Sequence, residues 1–203
     1  MFELATSYAT YMAIFLSIMA VVKYISYKYS IKDVHKAFQE FSEQHNGQLD
    51  KGSFLVPPSV SFKGSYISGS TNSADSEITV ILRSFYLYRG RRGNYTELSF
   101  HLPKRNYLIS FSLTLENPHE DEESRWIITI TEPVPTAKNT YKKLITLLTG
   151  IGERFFANHL NCSFDGEKLS INVLELIDNN EDINEFLRLA DAAFQNVLRI
   201  TKS

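Results

Sequence analysis

The sequence predicts an α+β domain carried on an N-terminal transmembrane helix, and three observations predict it. Residues 4–22 hold no charged side chain. From Gln48 to Pro133 apolar residues alternate in short runs separated by turn-forming residues. From Ala137 onward the apolar period is helical, interrupted by one hairpin signal. Alternation marks half-buried strands and a period near 3.6 marks amphipathic helices. The expected architecture is an antiparallel sheet, a meander plus a C-terminal hairpin, packed against two or three helices. Residues 1–29 form the anchor and juxtamembrane segment, and residues 30–203 a single cytoplasmic domain.

The anchor comes first. As a helix, residues 4–22 cover roughly 28 Å at about 1.5 Å per residue, close to the ~30 Å hydrocarbon core. Tyr8 and Tyr11 stand on one side, and Tyr24, Tyr27 and Tyr29 on the other, as in an interfacial aromatic belt. A cleaved signal peptide would need a basic start and a small-residue cleavage site, whereas the only early charge is Glu3. A helix in a soluble core would need a stronger polar face than Thr6, Ser7 and Thr10 supply. Lys23, Lys28, Lys32 and Lys36 follow the segment and no basic residue precedes it, so the N-terminus is expected outside and the C-terminal domain in the cytoplasm. A bacterial inner membrane is the expected location. Ala5, Ala9, Ala13 and Ser17 recur every four residues, the small-residue ridge along which membrane helices approach closely. Self-association through that ridge is expected.

Ile31, Val34, Phe38 and Phe41 continue as an amphipathic stripe, and Asn46-Gly47 stops it near Gln44. Short strands follow near Val60 and Tyr66, then Glu77 to Tyr88, Tyr95 to Leu102, Tyr107 to Leu115 and Arg125 to Thr131. Their short links predict neighbour-to-neighbour pairing. A helix from Ala137 to Thr149 is expected to end at Gly150. Asn161–Phe164 and Lys168–Leu176 flank Asp165-Gly166, a strong hairpin turn. The last helix, Asp182 to Thr201, buries Ile183, Phe186, Leu187, Ala190, Ala193, Phe194, Val197 and Leu198.

Composition bounds the function. The chain has 203 residues, 43% hydrophobic and 22% charged, the range of a folded protein. One cysteine excludes an internal disulfide, and a net charge of −2 excludes a wholly basic nucleic-acid binder. Charge is uneven: residues 23–105 carry net +5 and residues 106–203 net −6. Arg91 and Arg92 sit in a strand link; with Lys23, Lys28 and Lys32 they are the candidate contacts to anionic headgroups. Gly64–Ser70 and Gly150-Ile151-Gly152 lack the residues of phosphate-binding loops. The five histidines show no ligand spacing. Asp178, Asn180, Asp182 and Asn184 imitate the start of a calcium loop, but Ile183 and Leu189 occupy the positions of its glycine and glutamate, so the run reads as a helix N-terminus. His159 and Cys162 are three apart, and a buried structural thiol is the better reading than an activated one. No catalytic residue, cofactor or metal is expected, and no nucleic acid. The expected partners are the membrane, a second copy and a protein partner, and the expected function is a binding or assembly module. The alternatives are a membrane-tethered, hydrolase-like enzyme with a scattered site, and a lipid or apolar-ligand binder.

Overall fold

The computed structural model describes residues 2–53, 56–63, 78–85, 94–102, 109–117, 126–131 and 141–200; within its first helix it describes the side chains of residues 8, 10–22, 24, 25, 28 and 32–44. The expected strand near Tyr66 lies outside the described residues. Eight strands form one antiparallel sheet: β1 (Gln48–Asp50), β2 (Ser59–Lys63), β3 (Thr79–Phe85), β4 (Tyr95–His101), β5 (Phe111–Glu116), β6 (Ile127–Thr131), β7 (His159–Phe164) and β8 (Lys168–Val173). Three helices accompany them among the described residues: α1 (Phe2–Gln44), α2 (Lys142–Arg154) and α3 (Asn180–Ile200). The expected α+β class holds.

The helix α1 is continuous over 43 residues. No Gly or Pro interrupts that stretch. It ends where Asn46 turns left-handed, at φ 50°, so that the Gly47 N–H reaches back to the Ser42 carbonyl at 2.7 Å. That is the backbone geometry by which helices satisfy their last carbonyls. Of the stripe expected from the sequence, Val34, Phe38 and Phe41 are fully buried and Ala37 joins them, while the Ile31 side chain lies outside the described residues.

The pairing departs from a simple meander. Strands β1 to β4 pair in chain order, but β4 pairs with β8 rather than β5, giving the order β1-β2-β3-β4-β8-β7-β5-β6. The β7–β8 hairpin therefore sits in the middle of the sheet. Its turn is the expected one: Gly166 takes φ 90°, and the Asp165 carboxylate accepts the N–H groups of Glu167 and Lys168 at 2.9 and 2.7 Å. The strand β8 ends at Val173, three residues before the expected Leu176.

One sheet face is apolar and carries all three helices. Its rows run Val80, Phe100, Leu169, Phe164, Phe111 and Leu82, Leu98, Ile171, Cys162, Leu113 across adjacent strands. All eight residues expected on the inner face of α3 are buried there, and Phe194 stacks on Phe100 with ring centroids 4.6 Å apart. The α3 N-terminus is capped by Asn179, whose side-chain oxygen accepts the Asp182 N–H at 2.8 Å.

The helix α2 corrects a second expectation. Gly150 does not end it; the helix runs on to Arg154 without a break. A Cβ on Gly150 would meet nothing within 4 Å, whereas one on Gly152 would stand 2.5 Å from Cζ2 and Cη2 of Trp126. The two glycines thus stand within a helix, and only Gly152 is required by a close approach. The helix stops at Phe156, which takes φ 49°, with the Ala157 N–H on the Gly152 carbonyl at 2.9 Å.

Candidate functional site: an apolar shaft and a polar sheet face

The first buried side chain described along α1 is Val34. Every described side chain from Tyr8 to Asp33 is exposed, and residues 2–33 measure roughly 48 Å of helix at about 1.5 Å per residue. Met12, Ile14, Phe15, Leu16, Ile18, Met19, Val21 and Val22 are 41–59% exposed. At 100° per residue these large side chains wrap most of the helix. The remaining side holds Ala13, Ser17 and Ala20, all exposed. The Ser17 hydroxyl donates to the Ala13 carbonyl at 2.8 Å, so this polar group is satisfied within its own helix. Of the predicted ridge, Ala13 and Ser17 are thus brought to one exposed side; Ala5 and Ala9 belong to the same helix, and their side chains lie outside the described residues.

The expected transmembrane span is not met among the described residues: no helix there is long and apolar enough to cross a membrane. Described side chains give an unbroken uncharged run only from Thr10 to Val22, about 20 Å of helix at ~1.5 Å per residue. The longer run in the sequence begins at Leu4.

Lys28 and Lys32 are exposed on the shaft; Lys23 lies on it with its side chain outside the described residues. Arg91 and Arg92 also lie outside them, between Phe85 and Tyr95. The topology nevertheless fixes the end of the sheet to which that link belongs. His35 Nε2 lies 2.9 Å from the Lys51 carbonyl, just past β1, and the His45 ring stacks 5.0 Å from Phe62 on β2. The docked part of α1 therefore runs antiparallel to β1, and the shaft leaves past the Asp50 end. Asp50 pairs with Ser59, Ser59 with Arg83, and Phe85 with Tyr95, so the link bearing Arg91 and Arg92 opens at the end from which the shaft leaves. The link bearing Lys104 and Arg105 follows His101, at the opposite end.

The second sheet face is polar. Odd-numbered residues of β4 meet even-numbered residues of β8 there: Glu97 opposite Asn172, Ser99 opposite Ser170, His101 opposite Lys168. Lys168 Nζ donates to Glu97 Oε1 at 2.9 Å, and the Ser170 hydroxyl donates to the same oxygen at 3.3 Å. Ser99 Oγ lies 3.1 Å from His101 Nε2 and 3.4 Å from the Ile81 carbonyl. Burial lowers the His101 pKa, and the charges of Lys168 and Arg83 lower it further, so the neutral ring is favoured. A hydroxyl beside a neutral imidazole is the starting arrangement of a serine nucleophile. Ser99, however, is fully buried.

The sequence alone did not reveal this cluster. Alternate polar residues in the fourth strand, Glu97, Ser99 and His101, were the available signal, but the partners are about seventy residues away and come into range only through the β4–β8 pairing.

His159 and Cys162 do not form a pair. They differ by an odd number along β7 and so project from opposite faces. Cys162 is fully buried, and burial pushes its thiol pKa well up, which keeps it protonated. His159 faces Glu116, with Nδ1 3.4 Å from Oε1. The run from Asp178 to Asn184 is a helix start, as expected. Asp182 binds Arg154 at 2.8 Å, and Asn184 donates to Gln44 at 3.0 Å and, through its oxygen, lies 3.1 Å from His45. Among the described residues, no three His, Cys, Asp or Glu side chains are grouped to hold a metal ion. Comparison with protein families, curated proteins and solved structures finds no match to this chain.

Proposed function

We propose that this chain is a single-pass membrane-tethered protein whose α+β domain serves as a binding or assembly module on the cytoplasmic side. One observation carries the reading: α1 leaves the domain with large apolar side chains exposed around most of its circumference and no charge from Thr10 to Val22. An amphipathic helix seeking a groove on a soluble partner would keep one polar side. Removing about half of a large side chain from water stabilises by roughly 1 kcal/mol, and eight such side chains favour lipid by several kcal/mol. The self-satisfied Ser17 hydroxyl suits a medium without hydrogen-bonding solvent.

The span in this reading is residues 4–22, with the lysines after it keeping the domain in the cytoplasm. Lys23, Lys28, Lys32, Arg91 and Arg92 then face anionic headgroups, and the Ala5–Ser17 ridge pairs with a second copy. The hydrolase reading rests on Ser99 and His101, and the burial of Ser99 speaks against it. The test is fractionation. Full-length protein is expected to resist alkaline extraction from membranes, and removal of residues 1–29 to release a folded, soluble domain. Full-length protein in the soluble fraction refutes the proposal.

A further inference from the structure

The sheet has two edges, β1 and β6, and they are built differently. The β1 edge is guarded. It is three residues long, carries Asp50 and has α1 packed beside it, with His35 Nε2 2.9 Å from the Lys51 carbonyl. Short, charged or covered edges are how proteins keep further strands from adding. The β6 edge has none of these devices. Ile127-Ile128-Thr129-Ile130-Thr131 is β-branched throughout and holds no charge, glycine or proline. It pairs residue for residue with β5, from Ile127 with Glu116 to Thr131 with Ser112, so no bulge bends it away. Ile127 and Ile128 point to opposite faces and are 53% and 39% exposed, so β6 is open on both. Among the described residues no strand pairs with its outer side, where every second residue turns an N–H and a carbonyl outward.

We infer that β6 pairs with β6 of a second copy, antiparallel, about a two-fold axis at Thr129. The strand is its own complement in that register: Thr129 stands opposite Thr129, Ile128 opposite Ile130 and Ile127 opposite Thr131, and the axis repeats each pair. A register centred on Ile128 or Ile130 keeps only three of the five pairs. On the apolar face the row from Leu113 to Ile130 continues into Ile128 and Leu115 of the second copy, so the core row runs through the contact unbroken. Ile130 already packs against the core, and Ile128 is the side chain left open that this pairing covers. At ~3.4 Å per residue the contact is about 17 Å long and one strand wide. That falls well short of the ~800 Å² per partner of a stable interface, so the pair is reversible. The contact lies at the edge farthest from β1 and α1, uses no residue of the anchor ridge and does not rest on the membrane reading.

The experiment is disulfide trapping of the full chain in detergent solution under mild oxidation, read as covalent dimer on a non-reducing gel. Cysteines are introduced at exposed β6 positions; the native Cys162 is buried and stays out of the reaction. Residues opposite one another on antiparallel strands have Cα atoms about 4.5–5.5 Å apart, within disulfide reach. In the inferred register Thr129→Cys meets its own copy, whereas Ile127→Cys stands about 14 Å along the strand from its copy and cannot bridge. Thr129→Cys is therefore expected to form dimer at least tenfold faster than Ile127→Cys, and adding Thr131→Cys to Ile127→Cys should restore the bridge. Adding Ile128→Lys to Thr129→Cys sets a charge against Ile130 of the second copy and should slow bridging severalfold. Equal rates at 129 and 127 overturn the inference. No bridge at either, in a chain that sediments as a monomer, also overturns it and leaves the edge to a strand of another protein. Neither failure touches the membrane reading, which fractionation tests separately.

Discussion

Two glycines two residues apart in α2 allow a helix-propensity effect to be separated from a packing effect. Alanine favours a helix interior over glycine by about 1 kcal/mol. At Gly150 the added methyl meets nothing within 4 Å, so Gly150→Ala is expected to stabilise by about that amount. At Gly152 the same gain applies, but the methyl would stand 2.5 Å from two carbons of the Trp126 indole. Ordinary contact needs about 1 Å more, so the ring or the helix must retreat, and overpacking of this kind costs about 1–3 kcal/mol. The propensity gain cancels between the variants, leaving Gly152→Ala less stable than Gly150→Ala by about 1–3 kcal/mol, or about 3–9 °C in Tm for a chain of this size. The assay is thermal unfolding of the full chain in detergent, followed by circular dichroism and by fluorescence of Trp126, the single tryptophan. The Gly152→Ala emission should also shift in the folded state, because the ring has moved. Adding Trp126→Leu to Gly152→Ala should recover part of the loss. Equal stability of the two single variants would refute the close approach.

Three further outcomes are expected. His101 has its pKa lowered below the ordinary 6.5 by burial and then by Lys168 and Arg83, so below pH 6.5 the unfolded chain binds more protons than the folded one. Its contribution is therefore complete above about pH 6.5, falls as the pH drops and levels off below the folded pKa; His101→Gln should make Tm less pH-sensitive over that window, and an unchanged slope would assign the dependence elsewhere. Ser84 buries a hydroxyl with no hydrogen-bond partner among the described residues, so Ser84→Ala should raise stability by about 1 kcal/mol in denaturant titration, and a loss would reveal a partner. Replacing Ala9 and Ala13 with Leu keeps the shaft apolar but fills its ridge, so a membrane self-association assay should lose signal while insertion survives; equal signal would make the spacing coincidental.

Much of the architecture is legible in the sequence because periodicity reports burial directly. The eight inner residues of α3, the alternation Val80 and Leu82, and the Asp165-Gly166 turn all stand as the pattern implies. Pairing is another matter. Alternation tells which face a strand residue occupies, not which strand lies beside it. Nothing in Tyr95–His101 distinguishes β5 from β8 as its neighbour, so the meander expectation failed at β4 and the Glu97–Lys168 contact remained hidden. Gly150 misled for a different reason: in α2, Leu144, Leu148 and Ile151 are buried on one face, and that packing carries the helix through a residue that favours stopping. The shaft was readable because a charge-free stretch needs no tertiary information to be noticed.

The central position of the last hairpin has a consequence for how the chain is made. Synthesis delivers β1 to β4 first and β5 and β6 next, yet neither group has its inner neighbour until β7 and β8 have left the ribosome. Until then two half-sheets present unpaired inner edges, the state in which strands join wrong partners. Closing the gap joins segments far apart in sequence, which makes sheet completion slow as well as late. A chain cut short between Thr131 and Lys168 would retain at least six of the eight strands and still be unable to unite them.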